Sequence, residues 1–391
     1  MGWAKLIFTV AMLTSGGVVP PAVVRVDDVE QDKAIAAIMA IGGKAERIEG
    51  GIKVDLSNNR NAEAALVHLP ALKAVRSVDL RTSHITDVGL ARLARLKELQ
   101  SLDLLNARIT DAGLAHLAGL NDLRSLRFEF VGISDDGLTH LVGLKSLRLL
   151  DLTGTKVTDD GLALLTGLDS LDSLYLNGTK VTDVGMAQIA KFKQLRSLKL
   201  NATKVTNAGL ARLAGLTELR SLSLAGSGVT DDGLIHLAGF KALEELTPGV
   251  VTDAGLAHLA GFRQLRKLDL KGNPVTDDGL ARLAKLTELQ SLSLGGTGVT
   301  DDGLARLAGL TELQFLDLQN TQITDKGLDQ VAGFKKINSV YLHGTEITDT
   351  GLARLGGLKE LRFLTLSNTG VTDEGVKKLN KLLPELQIDY Y

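Results

Sequence analysis

The chain has 391 residues, 44 basic against 46 acidic, so its formal net charge of -2 offers no global field for nucleic acid or an anionic membrane. It contains no cysteine, which removes disulfide frameworks, thiolate metal sites and cysteine nucleophiles from consideration. A chain this long would ordinarily divide into two or three globular domains, but an internal repeat escapes that estimate because a repeat array grows in one dimension as a single long domain.

Residues 1–24 place one positive charge, Lys5, before an apolar run from Leu6 to Leu13, followed by the small residues Ser15, Gly16 and Gly17. This reads as a secretory signal, and the run is far shorter than the roughly 20 apolar residues of a membrane span. It makes an extracytoplasmic location, periplasmic or secreted, the expectation, with the cytoplasm as the alternative. Residues 28–51 read as an N-terminal capping helix and linker. Val29, Ala34, Ile35, Ile38, Met39 and Ile41 fall mostly on one helical face, and Gly42 and Gly43 stop it. A solenoid's first coil would otherwise expose its apolar edge, which is why an atypical element is expected there.

Residues 52–383 are one sentence rewritten about fourteen times. A glycine in the turn Val299-Thr300-Asp301-Asp302-Gly303-Leu304 recurs from Gly89 to Gly375 at steps of 24 residues, except for the 22 between Gly233 and Gly255. A fixed period in the range of about 20 to 50 residues marks a solenoid. Ile52-Lys53-Val54-Asp55-Leu56 lies 24 residues before Arg76-Ser77-Val78-Asp79-Leu80 and makes a degenerate first repeat. Within a repeat, Leu292 and Leu294 alternate with Ser291 and Ser293 at strand period, whereas Leu304, Leu307 and Leu310 recur at helical spacing. The unit is therefore strand, turn and short helix. Ile388 and Tyr390 fall 24 residues after Leu364 and Leu366, which makes 384–391 a closing strand.

The pattern LxxLxLxxTxVTDxGLxxLxxL resembles the leucine-rich repeat, in its bacterial many-copy form, over roughly residues 52 to 391. It is also similar to the cysteine-containing repeats of F-box proteins, with Thr or Asn standing where those carry Cys or Asn. The resemblance implies an α/β leucine-rich-repeat solenoid, a horseshoe with a parallel sheet on its concave face and short helices on its convex face. It implies a recognition module without enzymatic activity.

The recurrent polar residues read as scaffold. Thr300-Asp301 and its copies suit an N-cap and a first-turn acid facing the helix dipole. Thr155, Thr179, Thr203, Ser227, Asn273, Thr297, Thr321, Thr345 and Thr369 form a column expected to bond the backbone of adjacent coils. His68, His116, His140, His236 and His258 share a helix position with Arg92, Arg212, Arg282, Arg306 and Arg354, which marks a solvated face and no metal site. No GxSxG, HExxH or Walker-type motif occurs, so neither catalytic residues nor cofactors are expected. In the short repeat Pro248 replaces the second strand leucine, and a local bend or loosened pairing is expected there.

Function then lies in the strand residues that point away from the core. Asp55, Asp79 and Asp103 form a ladder of like charges that a basic partner or cation could relieve, and Tyr175 extends the same column. Phe315 and Phe363 replace the usual Ser before the first strand leucine. Tyr341 lies between them, with Asp317 and His343 beside it, giving an aromatic patch. The first reading is a monomer that binds a protein, or a glycan, in its concave face, with no nucleic-acid partner and no membrane span. The alternatives are a structural cell-envelope scaffold without a specific ligand and an intracellular adaptor.

Overall fold

A computed structural model describes residues 26–390. The expected signal segment, 1–24, lies outside the described residues, as does Tyr391. Two compact units part between Leu147 and Arg148.

The first unit opens with α1 (Val26–Ala40), followed by β1 (Lys44–Ile48), β2 (Gly51–Asp55), β3 (Val75–Asp79), β4 (Ser101–Asp103) and β5 (Ser125–Arg127). Strands β2 to β5 pair in parallel, in chain order. The stretch expected as a linker is not one: β1 pairs antiparallel with β2 through a two-residue loop, Glu49-Gly50, in which Gly50 takes a φ of 77°. Its residues KAERI are mostly exposed, so they lack the apolar alternation that announces a half-buried strand. The buried face of α1 is also narrower than its pattern suggested. Ala34, Ile38 and the polar Gln31 are buried, while Val29 and Met39 stand in solvent. The Gln31 carboxamide oxygen accepts the backbone N–H of Lys73 at 3.2 Å, so α1 is tied to the first coil by a polar contact as well as by packing.

The second unit contains β6 (Leu149–Asp151), β7 (Ser173–Tyr175), β8 (Ser197–Lys199), β9 (Ser221–Ser223), β10 (Glu245–Thr247), β11 (Lys267–Asp269), β12 (Ser291–Ser293), β13 (Phe315–Asp317), β14 (Ser339–Tyr341), β15 (Phe363–Thr365) and β16 (Gln387–Asp389). All pair in parallel with their sequence neighbours. Each strand from β2 to β15 is followed by a short α or 3-10 helix, and the last of these, Asp373–Leu382, is the longest of the coil helices. Each unit is thus a stack of coils with a sheet on one side, helices on the other and leucines between.

Stability is shared because no coil can stand alone. Leu292, Leu294, Val299, Leu304, Leu307 and Leu310 are all fully buried. Burying one such side chain contributes about 1.5 to 3 kcal/mol, while fixing each residue of backbone costs about 1 to 2 kcal/mol, so the neighbouring coils must supply the rest of the cover. The turn after a strand takes a left-handed residue in the 24-residue coils, supplied by Gly296 at φ 70° and elsewhere by Asn320 or Ala202, whereas the shortened turn after β10 has none.

The short repeat behaves as its proline requires. β10 pairs at three positions with β9 but at only two with β11. Pro248 occupies the place from which Leu224 and Leu270 each donate to the next coil's carbonyl, and it has no N–H to give. The shortened turn is repaired from its neighbour. Asn273 Oδ1, in the following coil, accepts the buried N–H of Val251 at 2.7 Å.

Candidate functional site: the sheet face

The recurrent Thr-Asp-x-Gly sequence is a device for joining coils. Asp301 Oδ1 accepts the N–H of Thr324 at 2.9 Å, and its Oδ2 accepts the Thr324 hydroxyl at 2.7 Å. Asp277 does the same for Thr300, and Asp349 for Thr372. In the first coil Glu63 reaches Thr86 in place of an aspartate. The aspartate therefore does more than face its own helix dipole, as the sequence suggested: it holds the next turn. The glycine follows from this, because a Cβ on Gly303 would overlap Asp277 Oδ1 and one on Gly327 would overlap Asp301 Oδ1.

The threonine column also departs from expectation. Thr155, Thr179, Thr297, Thr321 and Thr345 donate their hydroxyls to the leucine carbonyl three residues back in their own turn, at 2.6 to 2.7 Å. A hydroxyl on so short a side chain meets a carbonyl of its own turn before it can reach the next coil. Only the longer Asn273 crosses, as described above.

With these groups accounted for, the outward strand residues remain. Asp55, Asp79 and Asp103 stand in register on β2, β3 and β4, with Arg127 next on β5. The protein itself relieves this ladder. Arg81 contacts Asp79 at 2.6 Å and Asp103 at 3.9 Å, and Arg127 approaches Asp103 at 3.5 Å. Each of the three carboxylates also accepts the N–H two residues on, a turn role that any strand-end aspartate can fill. Burial raises the Asp103 pKa despite the Leu105 N–H and both arginines. At Asp55 burial pushes upward too, but the Ser57 hydrogen bonds with Lys44 and Arg81 outweigh it and the net shift is downward.

In the second unit Tyr175 has its register neighbour Lys199 over the ring, with Nζ at 4.3 Å from the centroid. A groove of about 410 Å³ runs from Lys199 to Phe315 along the sheet face, with Asn201, Ser223, Thr247, Lys267 and Asp269 on its floor. The outward column read from the sequence runs through Tyr175, Lys199, Ser223, Thr247 and Asp269, of which only Tyr175 is singled out there; Asn201 and Lys267 lie outside that column.

The aromatic residues come together at the C-terminal end of this groove. Phe315 and Tyr341 lie with ring centroids 5.1 Å apart, tilted by 43°. Phe363 is 49% exposed and lies two strands from Phe315 in the same row, with Ser339 between them. Asp317 is buried on this face. Burial raises its pKa against the Gln319 N–H and Lys271, while Asp269 adds to the rise. The space it occupies exists because residue 295 is glycine, whose Cβ would stand 3.1 Å from the carboxylate. His343 is half-buried in the turn after Tyr341, and its carbonyl accepts the N–H of Asn320 at 2.7 Å. Among the described residues no group of three or more His, Asp or Glu side chains is placed to hold a metal ion, and no helix is long and apolar enough to cross a membrane.

A sequence family described as "Leucine Rich repeat" matches the chain at residues 143–165, 216–238, 263–284, 285–308 and 310–332. These are coils of the strand, turn and helix just described. The chain is a leucine-rich-repeat protein. Among solved structures this leucine-rich-repeat protein is similar to an internalin from Listeria monocytogenes, at 22% identity over 93% of this chain and 94% of that one, with a TM-score of 0.58. It is also similar to a TDR receptor, at 14% identity over 84% of this chain and 57% of that one, with a TM-score of 0.51. A leucine-rich-repeat protein of Leptospira interrogans gives 18% identity over 83% and 74% of the two chains, with a TM-score of 0.45. No curated protein matches it in sequence. At these identities the likeness to the internalin and the TDR receptor carries the fold alone, an α/β leucine-rich-repeat solenoid that suits a protein-interaction module.

Proposed function

We propose that this leucine-rich-repeat protein is a non-enzymatic recognition module, and that it binds a protein through the sheet face of its second unit. The observation that carries this reading is the grouping of Phe315, Tyr341 and Phe363 at the end of a polar groove, where most other coils place Ser in the row of the two phenylalanines. Grouped exposed aromatics bury large area at small entropic cost and concentrate binding energy. The acidic ladder of the first unit is the weaker candidate, because Arg81 and Arg127 already pair with Asp79 and Asp103.

A glycan is the second reading, favoured by the hydroxyl and carboxamide groups of Asn177, Asn201, Ser221, Ser223, Ser291 and Ser293 along the groove. We place the protein outside the cytoplasm on the apolar run Leu6–Leu13, which N-terminal sequencing of the protein expressed in a bacterium tests: a chain that begins at Met1 or Gly2 would sink that placement. For the binding site, the Phe315, Tyr341, Phe363 triple alanine variant is compared with the wild type as bait in a pull-down from the native cell. The captured protein should be lost while the thermal transition is kept. Retention of the same protein by the folded triple variant would move the site elsewhere.

A further inference from the structure

Tyr341, Thr365 and Asp389 are register partners on β14, β15 and β16, so the last three strands set an aromatic ring, a hydroxyl and a carboxylate in one row of the sheet face. Neighbouring strands lie about 4.8 Å apart, so ring and carboxylate do not touch and the short threonine leaves a gap between them. Phe363 walls that gap, and with Ile388 the group lines an open depression of about 200 Å³. The Thr365 hydroxyl is shut off from solvent and has no hydrogen-bond partner. Among the described residues no cation pairs with Asp389, which is exposed. The equivalent position at Tyr175 behaves differently, because there the next strand supplies Lys199 and the ring face is covered.

We infer that the pocket between Tyr341, Phe363, Thr365 and Asp389 receives the ammonium group of a lysine side chain from a partner protein. The inference rests on the reading of this sheet face as a protein-recognition surface and adds the chemistry of one contact. The alkyl stem lies along Phe363, the ammonium sits against the Tyr341 ring, which Phe315 meets at 5.1 Å but no cation covers, and Asp389 balances the charge. A rotation about the Thr365 χ1 turns its hydroxyl toward the pocket, where its oxygen accepts from the ammonium. A lysine thereby meets the ring, the hydroxyl and the carboxylate of this row at once; Lys199 already makes the ring contact at Tyr175.

The test uses the full chain and the peptide acetyl-Gly-Lys-Gly-amide, followed by ligand-observed NMR. The norleucine peptide and butylammonium serve as controls. Saturable binding of the lysyl peptide is expected, with the norleucine peptide at least about tenfold weaker and Asp389→Asn weakening the lysyl peptide by a similar factor. Thr365→Val should weaken the peptide about threefold while raising the melting temperature of the free protein, a combination that a merely structural role would not produce. No binding, equal binding of lysyl and norleucine peptides, or an unaffected Asp389→Asn variant overturns the inference, and tighter binding of butylammonium would reassign the pocket to a free amine. If the protein captured by the wild type is lost with the triple alanine variant but kept by both Asp389→Asn and Thr365→Val, the recognition surface stands and the lysine contact falls. If the triple variant keeps it, the surface itself falls.

Discussion

Individual residues of the repeat are coupled across coils, and this reverses some ordinary expectations for substitution. Glycine inside a helix is normally about 0.5 to 1 kcal/mol worse than alanine. At Gly303 the added methyl meets Asp277 Oδ1, whose carboxylate is held by two hydrogen bonds and cannot yield, so Gly303→Ala should instead destabilise by about 1 to 3 kcal/mol. In a double-mutant cycle with Asp277→Ala the two losses should fall short of additivity, since removing the carboxylate makes room; chemical denaturation gives each value, and strict additivity would disprove the clash. Titration tells a second residue-scale story. Asp317 has its pKa raised in the fold, so the folded state binds more protons than the unfolded one above the ordinary carboxylate range and stability falls as pH rises through that window. Asp317→Asn keeps the acceptor for the Gln319 N–H but not the charge, so it should raise the melting temperature at pH 7 and lose that advantage near pH 3. Glu63 and Asp349 have lowered values, chiefly through hydrogen bonds from Thr86 and Thr372. Their contributions are present above the unfolded value and vanish as pH falls through the folded one.

Among the elements, the short coil is the place where the rule for one repeat differs from the rule for its neighbours. Asn273 stands in a column otherwise filled mainly by threonine, and a consensus argument would favour Asn273→Thr. The structure argues the opposite, because Asn273 Oδ1 is the partner of the buried Val251 N–H and a threonine hydroxyl would stay within its own turn. An orphaned buried donor costs about 1 to 3 kcal/mol. Asn273→Thr should therefore lower stability by that amount, and hydrogen exchange should show faster opening at Val251; unchanged protection would mean that the amide has another partner. Thr297→Ala, which removes only a contact within one turn, should cost about 1 kcal/mol.

On the scale of the whole molecule, the exact period makes coils interchangeable. Removing the 24 residues 289–312 would bring Asp277 opposite Thr324 and Leu268 opposite Leu316, with all motif positions kept in phase. Such a deletion should fold, with a denaturant m-value reduced in proportion to the surface lost and a modestly lower melting temperature. Removing 20 residues from the same place should fail, since strand and helix residues would then exchange positions. If the two deletions behaved alike, the stacking account of stability would be wrong.

The amino-acid sequence alone determined the period, the strand, turn and helix of each coil, and the set of leucines that fill the interior. Apolar spacing repeats in every coil and no tertiary contact overrides it. The anomaly at Pro248 was legible for the same reason, since a missing N–H is a property of the residue. The residues lining the candidate surface were partly legible: a 24-residue period puts Phe315, Tyr341 and Phe363 within two strands of one another. What only the tertiary structure decided is which polar group answers which. Asp301 serves Thr324 instead of its own helix alone, Asn273 crosses to Val251 where the threonines do not, Arg81 pairs with Asp79 in the acid ladder, and a cation covers Tyr175 where Phe315 packs against Tyr341. The β1 strand was hidden as well, because its pairing draws on backbone groups and not on side-chain pattern. Hydrophobic burial is non-directional and survives in the one-dimensional spacing of residues. Hydrogen bonds and ion pairs depend on distances of a few tenths of an ångström between coils, and those exist only once the coils are stacked.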